Sequence, residues 1–211
     1  MGLTHTAFDL RRHFLHKGRV MEGNCKKISP RIERTRTRVH EQVLNNLAVS
    51  VRGLEPKRIL DVGTGYGSNL NFLTRRFGKR SRIWSVDVSP TVVREIRKKM
   101  RKRRYSGHIM VREASAERLP FESGSFDLVV SVFSLHHLSN PKRGLYEMAR
   151  VLSRDGKLII SDWRPTAATP LLLHARSDMP SPSFVSTEVK RLGFSTNRNI
   201  DRYWYSVVAT W

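Results

Sequence analysis

The stretch RILDVGTGYGSNLNFL, residues 58–73, decides the reading of this chain. Ile59, Leu60 and Val62 form a short apolar run of the kind that makes a buried strand. Gly63, Gly65 and Gly67 mark a tight turn, and Asn69 to Phe77 has the spacing of a helix. A strand, a glycine loop and a helix in this order make a ligand cradle. Without Cβ atoms the glycines reach positive φ and let a ligand lie against the backbone, where amide N–H groups at a helix start bind oxygen atoms. A small polar ligand is expected there. A dinucleotide loop needs G-x-G-x-x-G or a terminal Ala; here Gly67 falls at the fifth position and Ser68 at the sixth, so the fit to NAD is poor.

Working outward, Asp61 stands two residues before Gly63, and Asp87 lies at the end of the next apolar run, Ile83 to Val88. Either aspartate alone has an ordinary explanation: Asp61 as the cap of a turn, Asp87 as the cap of the next helix. Together, D-x-G-x-G-x-G followed about one βα unit later by a strand ending in Asp resembles the first two motifs of class I S-adenosylmethionine-dependent methyltransferases. The resemblance implies that the loop, with Asp61, Gly63, Thr64, Gly65 and Gly67, carries the methionine end of the cofactor. It also implies that Asp87, beside Val88, accepts hydrogen bonds from the ribose hydroxyls.

The likeness extends downstream. EASAERLPFESGSFD (113–127) is similar to the D-A-x-x-L-P-F segment of the group that includes quinone-biosynthesis enzymes. Ser115 stands where that group has an aspartate for the adenine amino group, so the contact passes by implication to Ser115, Ala116 and Glu117 or a backbone carbonyl. Ser131, in the apolar run FDLVVSVF (126–133), joins the implied cofactor set. Ser134 to Leu138 matches S-L-H-H-L. RVLSRDGKLIISDW (150–163) resembles the hairpin that enters strand five, with Arg154 and Asp155 in place of the usual Pro-Gly. The resemblance covers roughly residues 40–211. The implied fold is α/β: a Rossmann-like, seven-stranded, mostly parallel sheet with an antiparallel C-terminal strand and helices on both faces.

The other elements read as follows. Residues 1–30 are a weakly periodic basic arm, with one short helix near Phe8–His16 and interruptions at Gly18, Gly23 and Pro30. Ile32, Val39, Val43, Leu44, Leu47 and Val51 predict an amphipathic helix to about Arg52, ended by Gly53 and Pro56. We therefore divide the chain into an arm and helix (1–52) and a methyltransferase-like domain (53–211). Ser89-Pro90 opens a helix to about Arg104, Asn140-Pro141 opens another, and a last helix is expected over Thr187–Leu192. Two strands, Ser195–Ile200 and Tyr203–Trp211, close the chain. The segment 163–183, short and rich in Pro, Ser and Thr, offers no large lid, which favours an open site and a large acceptor.

Charge is the unusual compositional feature. Against 18 acidic residues stand 39 Lys plus Arg, a formal charge of +21 over 211 residues. Residues 1–58 carry 13 basic and 5 acidic side chains, 59–125 carry 15 and 6, and 126–211 carry 11 and 7. Such an excess suggests a polyanionic partner, most simply RNA, with an anionic membrane surface second and plain solubility or thermal stability as the bland alternative. The cations fall in two groups. Arg11, Arg12, Lys17, Arg31, Arg34, Arg36 and Arg38 lie in the arm and first helix. Arg75, Arg76, Lys79, Arg80, Arg101, Lys102, Arg103 and Arg104 lie at helix ends. A helix that starts at the ligand edge of a parallel sheet runs back across it, so about 14 residues at ~1.5 Å each carry the second group to the far edge. The single cysteine, Cys25, excludes a disulfide framework. No long apolar run is present, and the chain reads as cytoplasmic.

Methyl transfer from a sulfonium is an in-line displacement that needs a positioned acceptor and, where the acceptor carries a proton, a base. His136 and His137, mostly neutral at pH 7, are the candidate bases. Methylation at a pyrimidine C5 would need a cysteine nucleophile near the ligand, which is absent, and no N/D-P-P-Y/F run marks an exocyclic amine acceptor. The sequence reading is an S-adenosylmethionine-dependent methyltransferase acting on RNA. Its competitors are a small-molecule or lipid enzyme of the quinone-biosynthesis type and a non-catalytic cofactor-binding module.

Overall fold

The computed structural model describes residues 29–102, 108–166 and 179–211. Along the chain run α1 (Pro30–Ser50), β1 (Arg58–Val62), α2 (Ser68–Phe77), β2 (Arg82–Asp87), α3 (Pro90–Lys102), β3 (Ile109–Glu113) and β4 (Phe126–Val132). A 3-10 turn (Leu135–His137), α4 (Pro141–Val151), β5 (Leu152–Trp163), α5 (Pro182–Arg191), β6 (Ser195–Ile200) and β7 (Trp204–Thr210) follow. The expected helix near Phe8–His16, with Arg11, Arg12 and Lys17, lies outside the described residues, as do Arg103 and Arg104.

The strands form one sheet in the order β3-β2-β1-β4-β5-β7-β6. β3, β2, β1, β4 and β5 pair in parallel, whereas β7 runs antiparallel to both β5 and β6. This is the Rossmann-like arrangement the motifs implied. β4, in the middle, reads FDLVVSV because both of its faces are covered. Val130 and Leu128 point to one core with α1, α2 and α3, and Val129 and Phe126 to the other with α4 and α5. Full burial of each such aliphatic side chain stabilises the fold by roughly 1.5–3 kcal/mol.

Three boundaries differ from the sequence reading. Pro30 opens α1 instead of interrupting a helix: Ser29 Oγ accepts from Ile32 N at 3.4 Å, and proline at N1 needs no amide partner. α5 starts at Pro182, well before Thr187, because Ser181 Oγ accepts from Phe184 N at 3.1 Å; a Ser-Pro cap was concealed in a stretch that looked like loop. β5 begins directly after α4, and its pairing with β4 jumps from Phe126–Leu152 to Leu128–Lys157, so the expected hairpin turn is a bulge within the strand.

α1 lays Val39, Val43 and Leu47, spaced four apart, onto the sheet beside β5 and β7. That stripe brings Arg36 and His40, also four apart, to the ligand mouth. On the other face Glu147 and Arg150 of α4 hold the loop before β4. Glu147 Oε2 accepts from Leu119 N at 2.9 Å, and Arg150 donates to Leu119 O at 3.0 Å and Phe121 O at 2.8 Å. The Arg150 guanidinium beside it holds the Glu147 carboxyl below its ordinary range. No helix among the described residues is long and apolar enough to cross a membrane.

Candidate active site

From β1 the sheet grows outward in both directions, through β2 and β3 on one side and β4 and β5 on the other. The loops leaving β1 and β4 therefore diverge and open a crevice at the carboxyl ends of the strands. The glycine loop lies in this crevice and is anchored to β2. Gly63 N and Thr64 N both donate to Val86 O, at 2.8 and 3.0 Å, and Gly65 N donates to Asp87 Oδ2 at 2.9 Å. Asp87 Oδ1 accepts from Ser89 N at 2.9 Å, so one carboxylate ties the loop to the start of α3. Gly63 has φ 90°, and a Cβ there would sit 2.5 Å from Ser134 Cβ; Gly67 has φ 84°, and its Cβ would meet Ile96 Cδ1 at 2.8 Å. Both positions favour glycine for backbone conformation, and Gly63 also for space against Ser134.

A cavity of about 240 Å³ opens over this loop. Of the residues singled out in the sequence, Gly63, Thr64, Gly65, Asp87, His136 and His137 line it. Asp61 does not. It is fully buried beneath the loop, where Ser85 Oγ donates to its Oδ2 at 2.6 Å and in turn contacts Thr64 Oγ1 at 2.6 Å. Asp61 therefore acts on the loop from below. Burial pushes its carboxyl up to about 7, against the pull of the Ser85 hydrogen bond. Gly67 caps α2, and Val88 is exposed beside Asp87. Ser115 and Ala116 sit in a turn joined to β2 by Ala114 N donating to Asp87 O at 3.0 Å. Glu117 is engaged elsewhere: its Oε1 accepts from Asn140 N at 3.0 Å at the start of α4. Ser131 is buried in β4 beside Val62, its hydroxyl without a partner among the described residues.

The far wall of the cavity was largely invisible in the sequence. Asp162, at the end of β5 and 1% exposed, accepts from His136 N at 3.0 Å through Oδ2. Its Oδ1 contacts His136 Nδ1 at 2.6 Å and accepts from Trp163 N at 2.7 Å. Because a carboxylate only accepts, a neutral His136 ring in this contact carries its proton on Nδ1 and leaves Nε2 as an acceptor. The His137 ring lies 4.0 Å from that of His136, and burial, then the neighbouring His136, lowers its pKa. Phe133 and Trp163 stack at 4.7 Å, and His40 of α1 approaches the Phe133 ring at 5.8 Å. Phe133 holds φ 53°, the one non-glycine residue with positive φ among those described, a conformation costing about 1–2 kcal/mol. Its amide is fixed to Ser161 O at 2.8 Å. The chain thus accepts strain to turn an aromatic ring into the cavity. The signals that could have shown this wall are Asp162-Trp163 closing strand five and His40 four residues after Arg36.

Comparison with known proteins bears on what this crevice holds. Residues 60–160 match the methyltransferase domain family. That stretch, just under half of the chain, is similar to a methyltransferase domain. Over 115 residues it is 33% identical to the ubiquinone/menaquinone biosynthesis C-methyltransferase of Citrifermentans bemidjiense, covering 54% of this chain and 47% of that protein. The chain therefore spans about half the length of the relatives it matches. Among solved structures, a SAM-dependent methyltransferase from Aquifex aeolicus is 25% identical, with a TM-score of 0.61 over 80% of this chain and 87% of the other. The geranyl diphosphate C-methyltransferase from Streptomyces coelicolor, solved with Mg2+, geranyl diphosphate and S-adenosyl-L-homocysteine, shares the fold at 13% identity, with a TM-score of 0.69 over 82% and 78% of the two chains.

The residues of the crevice fit an adenosyl sulfonium amino acid. Each Asp87 oxygen accepts one backbone N–H and keeps lone-pair capacity for a diol. Asn69, which lines the cavity, has a buried Oδ1 without a partner, an acceptor suited to an ammonium group. The space over Gly65, where a Cβ would meet nothing, admits a ligand against the backbone.

Proposed function

We propose that this protein is an S-adenosylmethionine-dependent methyltransferase whose acceptor is a small, flat molecule with an ionisable hydroxyl, of the kind handled in quinone biosynthesis. The observation that carries the reading is the His136–Asp162 pair, in which Asp162 holds the His136 ring through Nδ1 beside an aromatic wall in the cavity over the glycine loop. The relatives' names favour the same acceptor class. The sequence argued for RNA from charge, but His40, Phe133 and Trp163 line the cavity, with Arg36 as its only lysine or arginine among the described residues, and the far-edge cations stand at the opposite end of the strands.

The cofactor, when bound, supplies an electrophilic methyl group on a positive sulfur. The chain's own work is positioning and proton removal. Asp87 and Asn69 hold the donor half in place. Phe133 and Trp163 give a planar acceptor a face to stack on, with offset or edge contacts worth about 0.5–1.5 kcal/mol per aromatic pair. His136 Nε2 would accept the proton of the acceptor hydroxyl, leaving its electron pair for the methyl group that the cofactor would supply. Asp162 fixes the His136 tautomer and stabilises the imidazolium that results.

Calorimetry with S-adenosylhomocysteine and a tritium-methyl transfer assay test the reading. Expected are binding of the homocysteine and label transfer to a hydroquinone or phenol panel or to total lipid extract, lost in His136→Gln. Label appearing in RNA alone would return the acceptor to RNA. Binding with no transfer to any fraction would make the protein a cofactor-binding module.

A further inference from the structure

A second feature of the molecule is left unused by this chemistry. At the amino ends of the strands, opposite the crevice, Arg58 and Arg82 are direct Cα partners across β1 and β2, and His108 precedes Ile109, the partner of Ile83. Three adjacent parallel strands therefore begin with a basic side chain at the same level. All three residues are exposed. They line a groove of about 400 Å³ with Lys57, Lys79 and Arg80. A second hollow of about 360 Å³ shares Lys57, Lys79 and Arg80 and adds Arg75 and Arg76, so the two are continuous.

Complementing the end of α2 accounts for Arg75 and Arg76, which lie in its last turn. It does not account for Arg58 and Arg82, which start strands. Like charges directly opposite one another in a sheet are destabilising, and among the described residues neither arginine pairs with a carboxylate side chain. The acidic groups facing the groove are few. Glu55 meets Arg80 at 3.5 Å in an exposed pair, and Asp127 accepts from Lys57 N and Arg58 N. Arg58 is also held in place, its guanidinium 5.5 Å from the Trp84 ring and 5.8 Å from the Phe126 ring. A repulsive, pre-positioned row of cations in a concave groove is complementary to a polyanion. Among the described residues no large exposed hydrophobic side chain lines it, which argues against the apolar anchor that a membrane surface would use.

We propose that this groove binds the phosphodiester backbone of a polynucleotide. The site is separate from the catalytic crevice: the five residues of β1, at ~3.3 Å each, put about 16 Å between Arg58 and the glycine loop. The groove is therefore a docking surface and does not present an acceptor to the methyl donor. It stands independently of the acceptor assigned above. Arg101, Arg31, Arg34 and Arg38 are exposed but do not line it.

Fluorescence anisotropy of the full chain with labelled single-stranded and hairpin RNA and the matching DNA, between 50 and 300 mM KCl, tests the proposal. Four phosphate contacts predict log affinity falling against log salt with a slope of about −3 on single strands. The triple variant Lys79→Gln/Arg80→Gln/Arg82→Gln should flatten that slope by about 2 and weaken binding at least tenfold at 100 mM salt. A control of equal charge loss away from the groove, Arg94→Gln/Lys190→Gln/Arg198→Gln, should leave both unchanged. Thermal melting and S-adenosylhomocysteine affinity should stay at the wild-type values in each variant, which separates loss of the groove from loss of the fold or of the crevice. The arm's cations remain in every variant, so a loss confined to the groove triple locates the contact. Preference between RNA and DNA arms assigns the polymer. Three results overturn the proposal: no binding to either polymer at 50 mM salt, equal loss in both triples, or binding only to phosphatidylglycerol vesicles.

Discussion

Asp162→Asn is the sharpest perturbation of the crevice. The wild-type carboxylate faces three donors: His136 N through Oδ2, and the His136 ring and Trp163 N through Oδ1. Asparagine keeps one acceptor oxygen and replaces the other with a donor NH2. If the NH2 takes the Oδ1 place, it opposes Trp163 N–H and forces His136 Nδ1 to accept, moving the proton to Nε2. If it takes the Oδ2 place, it opposes His136 N–H. Either way one buried donor is unsatisfied, at about 1–3 kcal/mol. At ~2–4 °C per kcal/mol for a chain of this size, melting should fall by about 2–12 °C. In the first arrangement the base is also lost, which lowers kcat by roughly 10²–10⁴ while the cofactor affinity stays near wild type. Two measurements read this out. The 15N chemical shifts of His136 report the tautomer on the ligand-free chain, and the pH profile of methyl transfer reports the base. The expected outcomes are an Nδ1–H tautomer in the wild type and a changed profile in the variant. A wild-type tautomer of Nε2–H, or an Asp162→Asn variant whose 15N shifts show Nε2–H while kcat and pH profile are unchanged, refutes the assignment of His136 as base.

Three further perturbations follow from the loop. Asp87→Ala removes the acceptor of Gly65 N and Ser89 N together with the diol contact, and calorimetry should show S-adenosylhomocysteine binding weaker by roughly 10–100-fold, as for a charged hydrogen bond of about 1.5–3 kcal/mol. Gly63→Ala should destabilise by more than about 1 kcal/mol in urea unfolding, and adding Ser134→Gly should restore only part of it, because the clash is relieved but φ 90° is not. Asp61 gives a pH signature. Its folded pKa, about 7, lies above the unfolded 3.8, so its contribution is fully present below pH 3.8 and is lost as pH rises through 7, on the order of 4 kcal/mol in all. Asp61→Asn should flatten the decline in unfolding free energy between pH 4 and 7; an unchanged slope means that the carboxyl is ionised in the folded protein throughout.

The strand, glycine turn and helix over residues 58–77 were legible because their signals are local. Apolar runs, positive-φ glycines and caps act within a few residues, and alternating strands and helices joined by short connections point to a mostly parallel sheet. The boundaries that moved, at Pro30, Pro182 and Leu152, are places where Pro or Gly has two local meanings and packing chooses between them. Pro182, for example, reads as loop until Val185 and Val189 of the helix it opens are seen in the core.

The amino-acid order alone determined the fold, the ligand edge and the donor loop, together with His136 and His137 as the residues to watch. Only the tertiary structure decided which group orients His136, since Asp162 is 26 residues away and arrives on another strand. Only it showed that Asp61 lies beneath the loop, that Phe133, Trp163 and His40 form one wall of the cavity, and that Arg58, Arg82 and His108 share one level. The physical reason is common to all of these: a contact between parallel strands, or between a helix and the sheet edge it crosses, is fixed by register and packing over long sequence separation, and nothing in the spacing of either partner records it.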